Sequence, residues 1–242
     1  KIIFALCLKN FFLENYFQFL HILILLGKKI KMCKKNDDIF INTNVLMLSS
    51  ISSMIEQFNK NNIKILKKLG CKLTIAANFK KGNTTDSETT SSFYNFLKKN
   101  SLNPIHLPIP RSINFYNIIK SFFLIRKLLK KHSFSLIHCH TPIAAMLIRV
   151  NSIFLKNKLN IIYTAHGFHF YNGAPILNWL LYFPIEKLLS KYVNILITIN
   201  KEDFELGKRK FKNINSIFLV NGAGVNRKKF SPVDVKTKID LK

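Results

Sequence analysis

The chain has 242 residues, 48% of them apolar, enough to build one large core or two small ones. Its 38 lysines and arginines against 12 aspartates and glutamates give a formal charge of +26, which favours anionic partners: acidic lipid head groups, phosphorylated substrates or nucleic acid. Cys7, Cys33, Cys71 and Cys139 stand far apart without a CxxC, which argues against a cysteine zinc site or a disulfide framework and suits a reducing cytoplasm.

Lys, Asn, Ile and Phe are used heavily together, as an AT-rich genome would produce, and that bias competes with function as the source of the charge. The sequence begins at Lys1 rather than Met. Within residues 1–31, FLHILILL is a short apolar run, and Lys9, Glu14, Asn15, Gln18 and His21 interrupt what precedes it. A spanning helix needs about 20 mostly apolar residues, and a signal peptide needs a small-residue cleavage site. Three expectations stay open for this extension, taken as residues 1–43. It is translation upstream of a natural start at Met32, a peripheral amphipathic helix, or a degenerate membrane anchor.

From residue 44 a regular alternation starts. NVLMLSS (44–50) is expected as a buried strand, and residues 52–70 as a helix with Met54, Ile55, Phe58, Ile63, Leu66 and Leu69 on its apolar side, stopped by Gly70. Strands follow at 71–78 and 103–109, separated by a polar loop (80–90) and a helix (91–100). A helix at 115–132 leads to the strand SLIHCH (135–140), and Thr141-Pro142 opens a helix to 156. The strand 160–165, a helix 174–192 bent near Pro184, the strand 193–199, the helix 200–211 and a last strand 216–220 complete the series. Apolar strands separated by helices predict an α/β, Rossmann-like, doubly wound parallel sheet over residues 44–221. Residues 222–242 read as a hinge.

In such sheets ligands bind beyond the carboxyl ends of the strands. The first strand ends in Ser49, Ser50, Ser52 and Ser53, the fourth in His138, His140 and Thr141, and the fifth in His166, Gly167 and His169; the sixth ends in Asn200, Lys201 and Glu202. The serine loop has no GxGxxG, so a dinucleotide site is not expected, although hydroxyls and free amides at a helix start can hold a phosphate. His138 and His140 share one face of their strand, with Cys139 on the other. Gly167 permits positive φ beside His166, which can donate to a phosphate or a sugar hydroxyl. The four histidines lack a standard metal spacing, and no metal is expected. Helix 115–132 sets Lys120, Arg126, Lys127, Lys130 and Lys131 beside an apolar face, a pattern that suits an anionic membrane.

Taken together, LIHCHTP, IIYTAHGFHFYNGAP, NWLLYFPIEKLLSKYVNILITINKEDF and VNGAGVNRKKF resemble the amino-terminal half of family-4 glycosyltransferases of bacterial capsule and exopolysaccharide synthesis. SSISSMIEQFN and AANFKKGN fit the same subgroup, and the resemblance is dense from 136 to 204. It implies the acceptor-side half of a GT-B fold, with retaining, metal-independent chemistry and no cofactor. A hexose or N-acetylhexosamine would pass from a UDP- or GDP-sugar to a lipid-linked or saccharide acceptor, at the inner face of the cell membrane and without nucleic acid as partner. It further implies His166 as the catalytic group, with His140, Thr141 and His169 toward the acceptor. Ser49, Ser50, Ser52, Ser53 and Gly167 would lie near the diphosphate, and Asn200, Lys201 and Glu202 on the cleft rim. The family's second domain, with its E-x7-E motif and phosphate-binding Arg/Lys pair, has no counterpart in residues 222–242, so half an enzyme is expected. The alternative is a non-catalytic acceptor- or membrane-binding module that works with a separate donor-binding subunit.

Overall fold

The computed structural model describes residues 40–220; the expectations for residues 1–39, including a start at Met32, and for the hinge at 222–242 lie outside the described residues. The chain runs β1 (Asn44–Ile51), α1 (Ser52–Lys68), β2 (Lys72–Asn78), α2 (Ser87–Lys99), β3 (Asn103–His106), α3 (Phe115–Lys131) and β4 (Leu136–His140). It continues through α4 (Pro142–Ile153), β5 (Ile161–Ala165), α5 (Ile176–Leu189), a 3-10 turn (Ser190–Tyr192), β6 (Ile195–Thr198), α6 (Lys201–Lys210) and β7 (Ser216–Leu219). The strands form one sheet in the order β3-β2-β1-β4-β5-β6-β7, and every neighbouring pair is parallel.

The apolar runs become strands because both faces are covered. Val45, Met47 and Ile75 pack on one side against Ile55 and Leu66 of α1 and Phe93 of α2. Leu46 and Leu48 pack on the other against Ile125 of α3, Ala145 and Ile148 of α4 and Leu206 of α6. The chain winds outward in two directions from β1 and β4. These two strands are adjacent, with Met47 beside His138, and the crevice between their carboxyl ends is the switch point of the sheet.

Helix α2 begins a turn earlier than periodicity suggests. Asp86 caps it by accepting the Thr89 N–H at 2.6 Å, and Glu88 lies in the first turn beside the positive end of the helix dipole. The apolar pattern starts only at Phe93, so residues 87–90 look like loop in the sequence.

A buried ion pair joins α4 to α5. Arg149, 1% exposed, donates through Nη1 to Glu186 Oε2 at 2.7 Å and through Nη2 to Oε1 at 3.0 Å, while its Nε–H bonds the Ala145 carbonyl at 2.8 Å. The guanidinium also lies 5.0 Å from the Tyr163 ring centre. Burial alone would weaken its hold on a proton, but the Glu186 carboxylate outweighs that and raises it further. Removing one partner from a buried pair strands a charge and costs about 3–5 kcal/mol, whereas replacing both by apolar groups is close to neutral. Arg149→Met is therefore expected to lower unfolding free energy by about 3–5 kcal/mol, and Glu186→Leu in addition should recover most of it. Urea denaturation of wild type and both variants checks this; equal losses in the single and double variants would contradict the coupling.

Candidate functional site

Beyond the carboxyl ends of the strands lies a cleft of about 640 Å³, lined by Ser50, Phe58, Arg111, Thr141, His169 and Tyr182 among others. A second hollow, of about 940 Å³, opens at the opposite edge among Asn44, Lys72, Asn103 and Lys131. Parallel sheets present helix N-termini and loop amides at the carboxyl edge, so the smaller cleft is the candidate site.

Its floor is the switch point. The Ser50 N–H donates to Thr141 Oγ1 at 3.0 Å, and the two hydroxyls lie 2.9 Å apart. Thr141 was expected to cap α4 with its side chain; that hydroxyl instead bonds Ser50, and Thr141 makes no side-chain cap. Its φ of 68° with ψ of 140° is a conformation that glycine tolerates and threonine resists, so the clamp holds a strained residue in place. All four serines of the first loop are buried. Ser52 Oγ donates to Asn83 Oδ1 at 2.9 Å, and Ser53 Oγ accepts from the Thr84 N–H and hydroxyl, both at 3.1 Å. These two brace the loop after β2, and Ser49 Oγ is buried without a hydrogen bond among the described residues.

Three histidines converge beside the switch point. His138 and His140 face the same side of β4 with ring centres 4.1 Å apart. His138 Nε2 is 2.8 Å from Thr164 Oγ1, and His140 Nδ1 is 3.3 Å from His166 Nε2. Cys139 points to the opposite core, where burial pushes its thiol up to about 12. His166 is half-buried and meets the cleft wall at Phe58, their ring centres 5.9 Å apart. Burial, helped by the charge His166 would carry, brings His138 down to about 3. Burial first, then His138 and His166, hold His140 well below the usual histidine range, and burial lowers His166. All three are therefore neutral at pH 7. Among the described residues no group of His, Cys, Asp or Glu is arranged to hold a metal ion.

Gly167 adopts φ +123°, with open space where a Cβ would stand. The chain then dives back: Phe168 and Phe170 are core residues stacked at 4.9 Å, while His169 between them turns outward onto Tyr182 at 4.7 Å. The rim residues after β6 hold this loop from below. Asn200 caps α6 by accepting the Asp203 N–H at 2.8 Å, Glu202 accepts the Asn172 N–H at 2.6 Å, and Lys201 is exposed. Asp203, buried, accepts the Phe168 N–H at 3.1 Å; burial raises its carboxyl against the pull of its Asn200 and Phe168 hydrogen bonds.

The profile of Glycosyltransferase Family 4 matches residues 55–211. The chain belongs to glycosyltransferase family 4. It is 31% identical over 190 residues to EpsD of Bacillus subtilis (strain 168), which is assigned as a glycosyltransferase, covering 78% of this chain and 46% of that one. It is 29% identical over 133 residues to an Escherichia coli UDP-Gal:alpha-D-GlcNAc-diphosphoundecaprenol alpha-1,3-galactosyltransferase, covering 53% of this chain and 34% of that one. Similar folds include a sucrose-phosphate synthase from Thermosynechococcus elongatus, with TM-score 0.54 and 13% identity, covering 83% of this chain and 53% of that one. Another is a glycosyltransferase from Rickettsia africae ESF-5, with TM-score 0.52 and 18% identity, covering 83% and 48%. This family-4 chain thus spans at most about half the length of these relatives.

Within the family-4 fold, the cleft gathers Ser50, Thr141 and His169; His140 and His166 meet beside it; Ser52, Ser53, Asn200 and Glu202 serve to hold loops. Sequence reasoning missed Arg111, exposed in the cleft wall, because the ends of the second and third strands were not read. The same carboxyl-end rule points to Arg111. It also missed Asp203, whose signal was the spacing of a helix cap, Asn200 followed three residues later by an acid.

Neutral buried histidines bind protons more weakly in the folded state than in the unfolded one. Stability is then full above the ordinary histidine value near 6.5 and is lost as pH falls from there toward about 3. Each such histidine adds a slope of up to about 1.4 kcal/mol per pH unit. Urea melts between pH 7.5 and 5 should show this acid weakening, and His138→Gln, which cannot take a proton, should flatten it. A pH-independent midpoint in wild type would contradict the buried neutral cluster.

Proposed function

We propose that the chain is the acceptor-side domain, residues 44–221, of a retaining, metal-independent glycosyltransferase. Residues 222–242 lead toward a donor-binding domain. The enzyme passes a hexose or N-acetylhexosamine from a UDP- or GDP-sugar to a lipid-linked or saccharide acceptor in polysaccharide synthesis. The observation that carries this reading is the cleft at the switch point of a family-4 sheet, with neutral histidines and Arg111 at its edge. The galactosyltransferase relative, whose named acceptor is a diphosphoundecaprenol-linked sugar, supports a lipid-linked acceptor.

In this reading His166, at the end of β5, hydrogen-bonds the transferred sugar or the leaving diphosphate. Gly167 lets that ligand approach the backbone. Arg111 pairs with anionic oxygen at the cleft wall, and Ser50 and Thr141 shape the floor while Thr141, His140 and His169 face the acceptor. Charge develops on the leaving diphosphate during transfer, and positioned donors that meet it lower the barrier. In the whole enzyme, this chain joined to its donor-binding domain, His166→Ala is expected to lower kcat by roughly 100- to 1000-fold, with little change in Tm. His169→Ala, on the exposed side of the loop, should lose less. An unfolded His166→Ala domain whose folded fraction keeps full activity would make His166 a brace and overturn the assignment.

The proposed docking partner is an anionic membrane at the inner face of the cell. Helix α3 exposes Phe115, Tyr116, Ile119 and Phe123, and α5 exposes Ile176, Leu177, Leu180 and Leu188. Residues 89–185, which include all of these side chains but Leu188, carry 11 lysines and arginines, one of them the buried Arg149, and no aspartate or glutamate. Among the described residues no helix is long and apolar enough to cross a membrane. Each cation near an anionic surface is worth on the order of 1 kcal/mol, and salt screens it. Vesicle sedimentation should show binding that rises with anionic lipid, falls with added salt, and weakens in a Leu177→Ser, Leu180→Ser variant. Equal binding to neutral vesicles would make the charge compositional only.

A further inference from the structure

His140 and His166 meet through two ring nitrogens 3.3 Å apart, and only one proton fits between them. Either His140 donates from Nδ1 or His166 donates from Nε2. The two arrangements differ at the far side of His140. If His166 donates, His140 carries its own proton on Nε2, which is buried and has no hydrogen-bond partner among the described residues. An orphaned buried N–H is rarer and costlier than an under-used acceptor. If His140 donates, Nε2 is a bare lone pair and that cost is avoided. Both nitrogens protonated would mean a charged imidazole at a site only 1% exposed, with no carboxylate bonded to it.

The ring of His140 is held in this pose. It lies against His138 at 4.1 Å, and His138 is anchored by its 2.8 Å contact with Thr164 Oγ1. With Nε2 of His166 facing His140, its other nitrogen, Nδ1, makes no hydrogen bond to a described residue, and the ring is half-buried beside the open backbone of Gly167.

We infer that His140, packed against His138, is a positioning residue that locks His166 in its Nδ1–H tautomer, so that His166 meets a ligand oxygen as an N–H donor and not as a base. The ligand class is an oxygen acceptor, either a diphosphate oxygen or a sugar hydroxyl. The role in catalysis rests on the proposed function of His166; the tautomer does not.

The test is a long-range proton–nitrogen NMR correlation on the full chain labelled with 15N-histidine, at pH 7.5, with His166→Gln used to assign its signals. Wild type should show His166 protonated at Nδ1 and bare at Nε2. His140→Phe keeps a ring and removes the donor, so His166 should shift toward the Nε2–H form that free histidine prefers. His140→Asn places an amide N–H where Nδ1 stood and should restore the Nδ1–H form. Wild type protonated at Nε2, or an unchanged Nδ1–H signal in His140→Phe, would overturn the inference. If His140→Phe does not fold, the wild-type spectrum and His140→Asn still decide it. In the whole enzyme, His140→Phe should lower kcat more than it changes KM, with recovery in His140→Asn. A locked tautomer with no such loss would sink the catalytic reading of His166 while leaving the positioning intact.

Discussion

The hydroxyl contact between Ser50 and Thr141 ties together the one place where the sheet divides its crossovers. β1 sends the chain toward β2 and β3, and β4 sends it toward β5, β6 and β7. A crevice opens there because no connection covers it, and the side chains at the two strand ends become its floor. Thr141 holds a backbone conformation costing of the order of 1–3 kcal/mol, and the 3.0 Å and 2.9 Å contacts with Ser50 offset it. That strained residue directly follows His140, so the turn that aims α4 away from the sheet also fixes where β4 must stop with His140 buried beneath it.

The parallel sheet was legible because the inner strands are apolar runs buried on both faces, and because alternation put His138 and His140 on one side and Cys139 on the other. The start of α2 was not legible, since Asp86 and Glu88 stabilise a helical turn without any apolar side chain to mark it. The cleft was legible as a rim but not in its division of labour. Serine hydroxyls look alike in sequence; only the return of the loop after β2 decides that Ser52 and Ser53 bond Asn83 and Thr84 while Ser50 bonds Thr141. Arg149 and Glu186 were invisible as partners because they lie 37 positions apart, on separate helices.

The histidines and the lysines follow opposite rules in this chain. The described lysines stay exposed and solvated. The histidines near the switch point are drawn out of water, and that burial, reinforced at His138 and His140 by their neighbours' charge, is what opposes protonation. A site made in this way offers directed N–H groups and lone pairs rather than net charge. Positive charge beside it comes from Arg111 in the cleft wall, which keeps the roles of orientation and of attraction on separate side chains.

Helix α5 is apolar nearly all round, ILNWLLYFPIEKLL, and its pattern gives no preferred side to turn inward. Its buried residues are Glu186 and Leu189, and Trp179, Tyr182 and Phe183 pack half-buried against the core on the same side, so a carboxylate sits among aromatic side chains on the inward face. The bidentate grip of Arg149 therefore works as a rotational index. It leaves Leu177, Leu180 and Leu188 exposed. Aromatic packing and the ion pair thus hold α5 together on the core, and the paired carboxylate helps to fix which side of the helix faces in.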